Sequence, residues 1–309
     1  MSRPSRLRRS ELSTPGTSEK MMTKAAGGDA DLVFLDLEDA VAPNEKEAAR
    51  KPVVDALNGL DWGNKTRAVR VNGTHTEWCH DDVVAVVSGA GANVDVLILP
   101  KVKAPRDVWF VDTLLTQLER KLALDVGRIG IEVLIEETEA LARVEEIAGC
   151  CPSRLEALIL GVGDLSASQG VRLGHIGVAD DRYPGDIWHY ARTRMIVAAR
   201  AHGLDPIDGP FANFRDDAGY RREAGWASTL GAVGKWAIHP AQVGIANEVF
   251  SPTDAEVARA RSVVEAVRAA ELAGEGAANL NGMMIDAATA RIFEGVLERA
   301  KLAGMAGIE

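Results

Sequence analysis

Short apolar runs rich in β-branched residues recur along the chain, and amphipathic stretches separate them. The runs are "RRSELSTPG" (8–16), "LVFLDLED" (32–39), "TRAVRVNG" (66–73), "VDVLILPKV" (94–102), "IGIEVLIEE" (129–137), "ALILGVGDL" (157–165), "LDPIDGP" (204–210) and "GKWAIHP" (234–240). Each reads as a strand. Between them, "KEAARKPVVDALNGL", "TEALARVEEIAGCC" and "DIWHYARTRMIVAARAHG" carry helical periodicity, the last closed by Gly203. Strands that are apolar on both faces and alternate with helices predict a parallel sheet covered by helices. Eight such units predict an α/β fold of the closed (β/α)8 TIM-barrel type, with a doubly wound open sheet as the alternative. Trp188, Tyr190, Trp226 and Trp236 fit helix packing better than a platform for a base, because Trp188 and Tyr190 lie in an amphipathic pattern.

The pattern changes after "IHPAQVGIANEVFSPT". Residues 253–273 read as one helix, "GEGAANLNGMM" as a loop or hinge, and "DAATARIFEGVLERAKLAG" as a further helix. The expected organisation is a barrel domain over 1–250 and a C-terminal helical extension over 251–309. The extension is surplus to eight units, so it serves as a lid on the barrel or as an arm onto a neighbouring subunit.

Charge and cysteine content narrow the function classes. The 309 residues carry a formal net charge of -10, and no basic block follows the opening "RPSRLRR". A nucleic-acid partner is therefore not expected. No apolar run approaches the roughly 18 residues of a membrane span, and no apolar segment after the basic start suggests a secretory leader. Three cysteines, two of them the adjacent Cys150 and Cys151, make no disulfide framework and suit a reducing cytoplasm. The six histidines, His175 among them, show no HxH or HExxH spacing, so zinc is not expected.

Ionisable groups crowd the C-terminal ends of the predicted strands. They are Asp36, Glu38 and Asp39, then Arg70 with Asn72, Lys101, Glu136 and Glu137, Asp164, Asp208 and His239. One acid at a strand end is usually solvated loop, but barrel closure would bring this whole set together. Converging carboxylates repel unless a cation neutralises them. Glu136 and Asp164 end adjacent strands and make the best pair for Mg2+, which keeps positions open for water and substrate. Asp164 could instead cap a helix at "GDLSASQG". Gly161 and Gly163 would let backbone amides approach a small carboxylate. "GVGDLS" has Ser166 where a dinucleotide fingerprint has its last glycine, which argues against such a cofactor. Glu132 shares strand parity with Glu136 but lies deeper, where it needs an unidentified Lys or Arg partner. The turn after the seventh strand, with Asp208 and Pro210, is placed to line an acyl pocket.

The ordered set "RRSELSTPG", "FLDLEDAVAPNEKEAAR", "VRVNG", "LPKV", "VLIEE", "LILGVGDLSASQG" and "GKWAIHPAQVGIANEVFSP" resembles the citrate lyase β-subunit-like (HpcH/HpaI aldolase) superfamily over nearly the whole chain. "YPGDIWHYARTRMIVAARAHGLDPIDGPF" is similar to the malyl-CoA lyases within it. The resemblance implies a TIM barrel, Mg2+ with Mn2+ as an alternative, and a CoA thioester as substrate. It implies reversible cleavage of malyl-CoA or β-methylmalyl-CoA to acetyl-CoA or propionyl-CoA and glyoxylate. It places the metal on Glu136 and Asp164, with "IEET" adding an acid, Glu137, to the usual "IET". Arg70 would meet the thioester carbonyl and the 2-oxo acid, and Arg9 would stand at the CoA entrance. Glu38 and Asp39 would hold metal-bound waters or orient Arg70 or a nearby Lys. Lys101, a candidate for contact with the substrate, is not required as a Schiff base. Asp286, in "NGMMID", would act as acid or base in the site of a neighbouring subunit of a homotrimer or homohexamer. A malyl-CoA thioesterase, a citramalyl-CoA lyase and a citrate lyase β-type subunit working on an acyl carrier are the alternatives.

Overall fold

The computed structural model describes residues 3–173, 183 and 185–305; His175 and Pro184 lie outside them. Eight parallel strands close into a barrel in chain order: β1 (Ser10–Pro15), β2 (Leu32–Asp36), β3 (Thr66–Arg70), β4 (Val96–Leu99), β5 (Gly130–Ile135), β6 (Leu155–Leu160), β7 (Asp205–Asp208) and β8 (Gly234–Ala237). Closure comes from β8 pairing with β1, Glu11 opposite Trp236 and Leu12 opposite Ala237. Each of the eight sequence runs thus overlaps one strand, β6 starting two residues before its run. The doubly wound alternative is excluded, because an open sheet has no such pair.

Helices follow the strands: α1 (Glu19–Ala26), α2 (Lys46–Gly59), α3 (Cys79–Ala90), α4 (Pro105–Lys121), α5 (Thr138–Ala142), α6 (Val144–Gly149), α7 (Val162–Gln169), α8 (His189–Ala201), α9 (Asp217–Leu230) and α10 (Pro240–Val249). Strand parity explains the interior. Leu32, Phe34, Ala68, Val96, Ile98, Leu134, Ala157, Ile159, Ile207 and Trp236 form one buried cluster. Asp36, Arg70 and Glu136 continue the same parity beyond it, so the inward row turns polar at the C-terminal mouth.

The inward row is also polar at its base. Glu132 meets Arg8, whose Nε donates to Glu132 Oε1 at 2.9 Å. Arg8 also binds Glu156 and, through Nη1 at 2.8 Å, Asp205. This is the basic partner that Glu132 requires, supplied by the segment before β1. Glu11 is fully buried beside them and accepts from Trp236 Nε1 at 2.8 Å. Burial, reinforced by the charge of Glu132, pushes the Glu11 carboxyl well above the usual range.

The chain divides into two compact units, 1–247 and 248–309. The second unit has α11 (Asp254–Leu272), β9 (Ala277–Leu280), β10 (Met283–Asp286) and α12 (Ala287–Leu302). Thr253 and Glu256 form a capping box at the start of α11. The segment expected as a loop or hinge is an antiparallel hairpin, with Leu280 opposite Met283. Asn281 and Gly282 take positive φ of 53° and 82°, the requirement of a tight two-residue hairpin turn. Val263, Val267, Ile285 and Ala290 form this unit's own core.

Trp188 and Trp236 are buried as expected of packing residues. Tyr190 and Trp226 are instead largely exposed, on the outer faces of α8 and α9. Among the described residues no helix is long and apolar enough to cross a membrane.

Candidate active site

The C-terminal mouth of the barrel gathers the polar ends of β2, β3, β4, β5 and β6. Arg70, the last residue of β3, grips Asp36, the last of β2: Nε donates to Oδ1 at 2.7 Å and Nη2 to Oδ2 at 2.6 Å. Its Nη1 stands 3.1 Å from Glu38 Oε2. Burial opposes the Arg70 charge, but Asp36, Glu38 and Glu136 outweigh it and hold the guanidinium above its ordinary pKa. The ring of Trp236 lies under it, 5.4 Å from the guanidinium carbon. The cation is therefore fixed in position, with donors left over for a ligand.

The acids at the end of β2 and just beyond it each face a cation. Asp36 is taken by Arg70 and also accepts from the backbone of Glu38 and Ala40, at 2.9 and 3.1 Å. Glu38 lies between Arg70 and Lys101, with Oε1 3.7 Å from Lys101 Nζ. Burial raises the Glu38 carboxyl to about 7, against the pull of Arg70. Asp39 is more exposed and has Oδ2 3.7 Å from the same ammonium.

Glu136 and Asp164 stand on either side of Lys101. Lys101 Nζ is 2.6 Å from Asp164 Oδ1 and 3.7 Å from Glu136 Oε1. The 2.6 Å contact is an ion pair out of line for a hydrogen bond, and the ammonium is buried without an aligned acceptor. The backbone amide of Lys101 donates to Glu136 Oε1 at 2.7 Å. Burial pushes the Glu136 carboxyl up to about 8, with Asp164 and Glu38 adding to the rise. Gly161 is required here, because a Cβ would fall 2.4 Å from the Cβ of Glu136. Glu137 points elsewhere and accepts from Ser168 Oγ at 3.0 Å, so only Glu136 enters the cluster.

Two carboxylates just beyond the adjacent strands β5 and β6, both within reach of one cation, fit a magnesium ion completed by water and substrate oxygens. Among the described residues no group of three or more His, Cys, Asp or Glu could enclose a metal by itself. Asp164 does not cap a helix: Gly161 is the N-cap of α7, and Asp164 sits in its first turn. Gly163 is exposed at the same helix start, with open space where a Cβ would go. A cavity of about 320 Å³ adjoins the cluster, lined by Glu38, Asp39, Lys101, Asn72, His75 and Trp78 among others.

Other expected residues take different positions. Arg9 precedes β1 and so lies at the opposite, N-terminal mouth. It clamps Asp31, with Nε to Oδ2 and Nη2 to Oδ1 both at 2.8 Å, at the end of the barrel away from Arg70. Asp208 offers no free carboxylate to an acyl group. Lys235 Nζ donates to its Oδ2 at 2.6 Å and Arg192 Nε to its Oδ1 at 2.9 Å, in full burial. Pro210 is half-buried in the turn that follows. Asn72 is held by Asp82 of α3, to which its Nδ2 donates at 2.6 Å. Asp286 is the N-cap of α12, accepting from the backbone and hydroxyl of Thr289, each at 2.9 Å. Those bonds keep its carboxyl below the usual range. Sequence reasoning missed Lys235 and Arg192, which become neighbours only when β7, β8 and α8 pack.

A family model described as HpcH/HpaI aldolase/citrate lyase matches residues 9–240. An L-malyl-CoA/beta-methylmalyl-CoA lyase of Cereibacter sphaeroides is 42% identical over 97% of this chain and 96% of its own. A (3S)-malyl-CoA thioesterase of the same species is 36% identical over 90% and 89%. Among solved structures, protein CitE of Mycobacterium tuberculosis, in complex with magnesium, acetoacetate and coenzyme A, is 28% identical with a TM-score of 0.73, over 94% of this chain and 97% of that one.

Proposed function

Because the chain belongs to the HpcH/HpaI aldolase/citrate lyase family, we propose that it is a Mg2+-dependent carbon–carbon lyase of acyl-CoA thioesters. It cleaves malyl-CoA or β-methylmalyl-CoA reversibly to acetyl-CoA or propionyl-CoA and glyoxylate. The observation that carries this reading is the juxtaposition of the anchored Arg70 guanidinium with the Glu136 and Asp164 pair.

Glu136 and Asp164 hold the divalent ion, with Mn2+ as a substitute for Mg2+. When bound, the ion supplies Lewis-acid polarisation of the 2-oxo acid. Removing a proton from C2 of acetyl-CoA puts negative charge on the thioester oxygen. Arg70 is fixed before the reaction begins, so it stabilises that charge without reorganising. In the cleavage direction the same guanidinium receives the departing enolate. Glu38, shared between Arg70 and Lys101, keeps the two cations oriented. Asp286 of another copy in a homotrimer or homohexamer is the proposed acid and base. Its capping bonds from Thr289 hold it as the carboxylate at the head of α12. The cellular setting proposed is the cytoplasm, in keeping with free Cys79, Cys150 and Cys151.

A thioesterase activity on malyl-CoA is the second reading, favoured by the 36% identical relative. Product identification separates the two. Malyl-CoA, β-methylmalyl-CoA and citramalyl-CoA are incubated with the protein, with and without Mg2+. Acetyl-CoA plus glyoxylate supports the lyase; malate plus free thiol replaces it with the thioesterase.

A further inference from the structure

Lys101 occupies an unusual backbone position for a non-glycine residue. It follows Pro100 just beyond β4 with φ of 54°, in the left-handed region. Such strain persists only where surrounding structure imposes it. Here the twist aims the backbone amide and the ammonium of one residue into the same acidic cluster. The amide holds Glu136 Oε1 at 2.7 Å. The ammonium is 2.6 Å from Asp164 and 3.7 Å from Glu136, the two carboxylates that fit the metal. It is also 3.7 Å from each of Glu38 and Asp39, a second acidic pair. One cation thus stands against Asp164 and at the same 3.7 Å from Glu136, Glu38 and Asp39.

We propose that Lys101 is a tethered counter-cation that exchanges with the divalent metal, leaving Asp164 and Glu136 for Glu38 and Asp39 when the ion binds. The reason is electrostatic. A divalent ion binds carboxylate oxygen at about 2.0–2.1 Å, and an ammonium 2.6 Å from the same oxygen would be pressed against it. Like charges at that distance in a buried site repel strongly. Without the metal, Lys101 bridges the buried Glu136 and the partly exposed Asp164 and holds them in register. With the metal, it moves toward the more exposed Asp39 and keeps Glu38 paired beside Arg70. Lys101 is on this account a positioning residue that sets metal affinity. The inference rests on the metal reading of Glu136 and Asp164.

Two measurements on the full chain test it. In calorimetric titration with MgCl2, Lys101→Met should bind Mg2+ at least tenfold more tightly than the wild type, because a competitor is gone. Its metal-free form should melt lower and gain more from Mg2+. Unchanged or weaker binding overturns the exchange. In the second, wild-type protein is treated briefly with a reductive methylation reagent and Lys101 modification is read by mass spectrometry. Saturating Mg2+ should raise that modification severalfold as the ammonium moves toward solvent. Equal or lower modification overturns the exchange even if the variant does not fold. A wild type that binds no Mg2+ overturns the metal reading itself, a failure distinct from either.

Discussion

Arg70 and Asp36 are joined by two parallel hydrogen bonds of 2.7 and 2.6 Å at the ends of neighbouring strands β3 and β2. The pair explains why the second strand ends in negative charge: Asp36 anchors the cation on which thioester chemistry would depend. Removing one partner of a buried pair leaves an uncompensated charge and costs about 3–5 kcal/mol. Asp36→Asn should lower thermal stability clearly, measured by circular dichroism. Arg70→Lys, which cannot form the fork, should lose roughly 10²–10³ in kcat while Mg2+ binding stays within about twofold. A kcat within tenfold of the wild type would remove Arg70 from the enolate role.

Glu136 predicts a pH dependence. Its folded-state pKa, about 8, lies above the usual 4.5. Across that window the folded protein binds more protons than the unfolded chain, so this group's contribution to stability falls as pH rises. Glu136→Gln removes the effect. In the metal-free state, the melting temperature of the wild type minus that of Glu136→Gln should become more negative from pH 5 to pH 8. A difference that is flat or rises with pH contradicts the assignment.

Arg8 and Arg9 are adjacent in sequence and separate in consequence. Arg8 neutralises Glu132 and Glu156 inside the barrel, so Arg8→Met should destabilise the fold strongly. Arg9 clamps Asp31 at the mouth opposite the acid cluster. Arg9→Ala should leave KM for the CoA ester within about twofold. A large KM increase with unchanged stability would place the CoA entrance at Arg9 after all.

These arginines mark where the sequence was legible. The strands were readable because each is a short run between helical patterns, and position at the C-terminal strand ends put Asp36, Glu38, Arg70 and Glu136 at one mouth. Strand polarity, applied to Arg9, would have put it at the other mouth, since it precedes β1. Partners from distant segments were not readable: no periodicity pairs Arg8 with Glu132, or Lys235 and Arg192 with Asp208. The β9–β10 hairpin was readable in part. Asn281-Gly282 is a turn signal, but glycine and asparagine around it masked two four-residue strands.

Asp286 should act across subunits. Asp286→Asn alone should lower kcat at least a hundredfold with Mg2+ affinity unchanged. Mixed with Asp164→Ala under conditions of subunit exchange, it should regain activity, because one site then has both intact groups. Activity that never returns would confine Asp286 to its cap on Thr289.

The most direct measurement is glyoxylate released from malyl-CoA by the wild type, by the wild type in excess chelator, and by Asp164→Ala. Release should require added Mg2+, stop with chelator, resume on restoring the ion, and be absent in Asp164→Ala. Cleavage that survives either the chelator or the substitution would contradict a metal held by Glu136 and Asp164 beside Arg70.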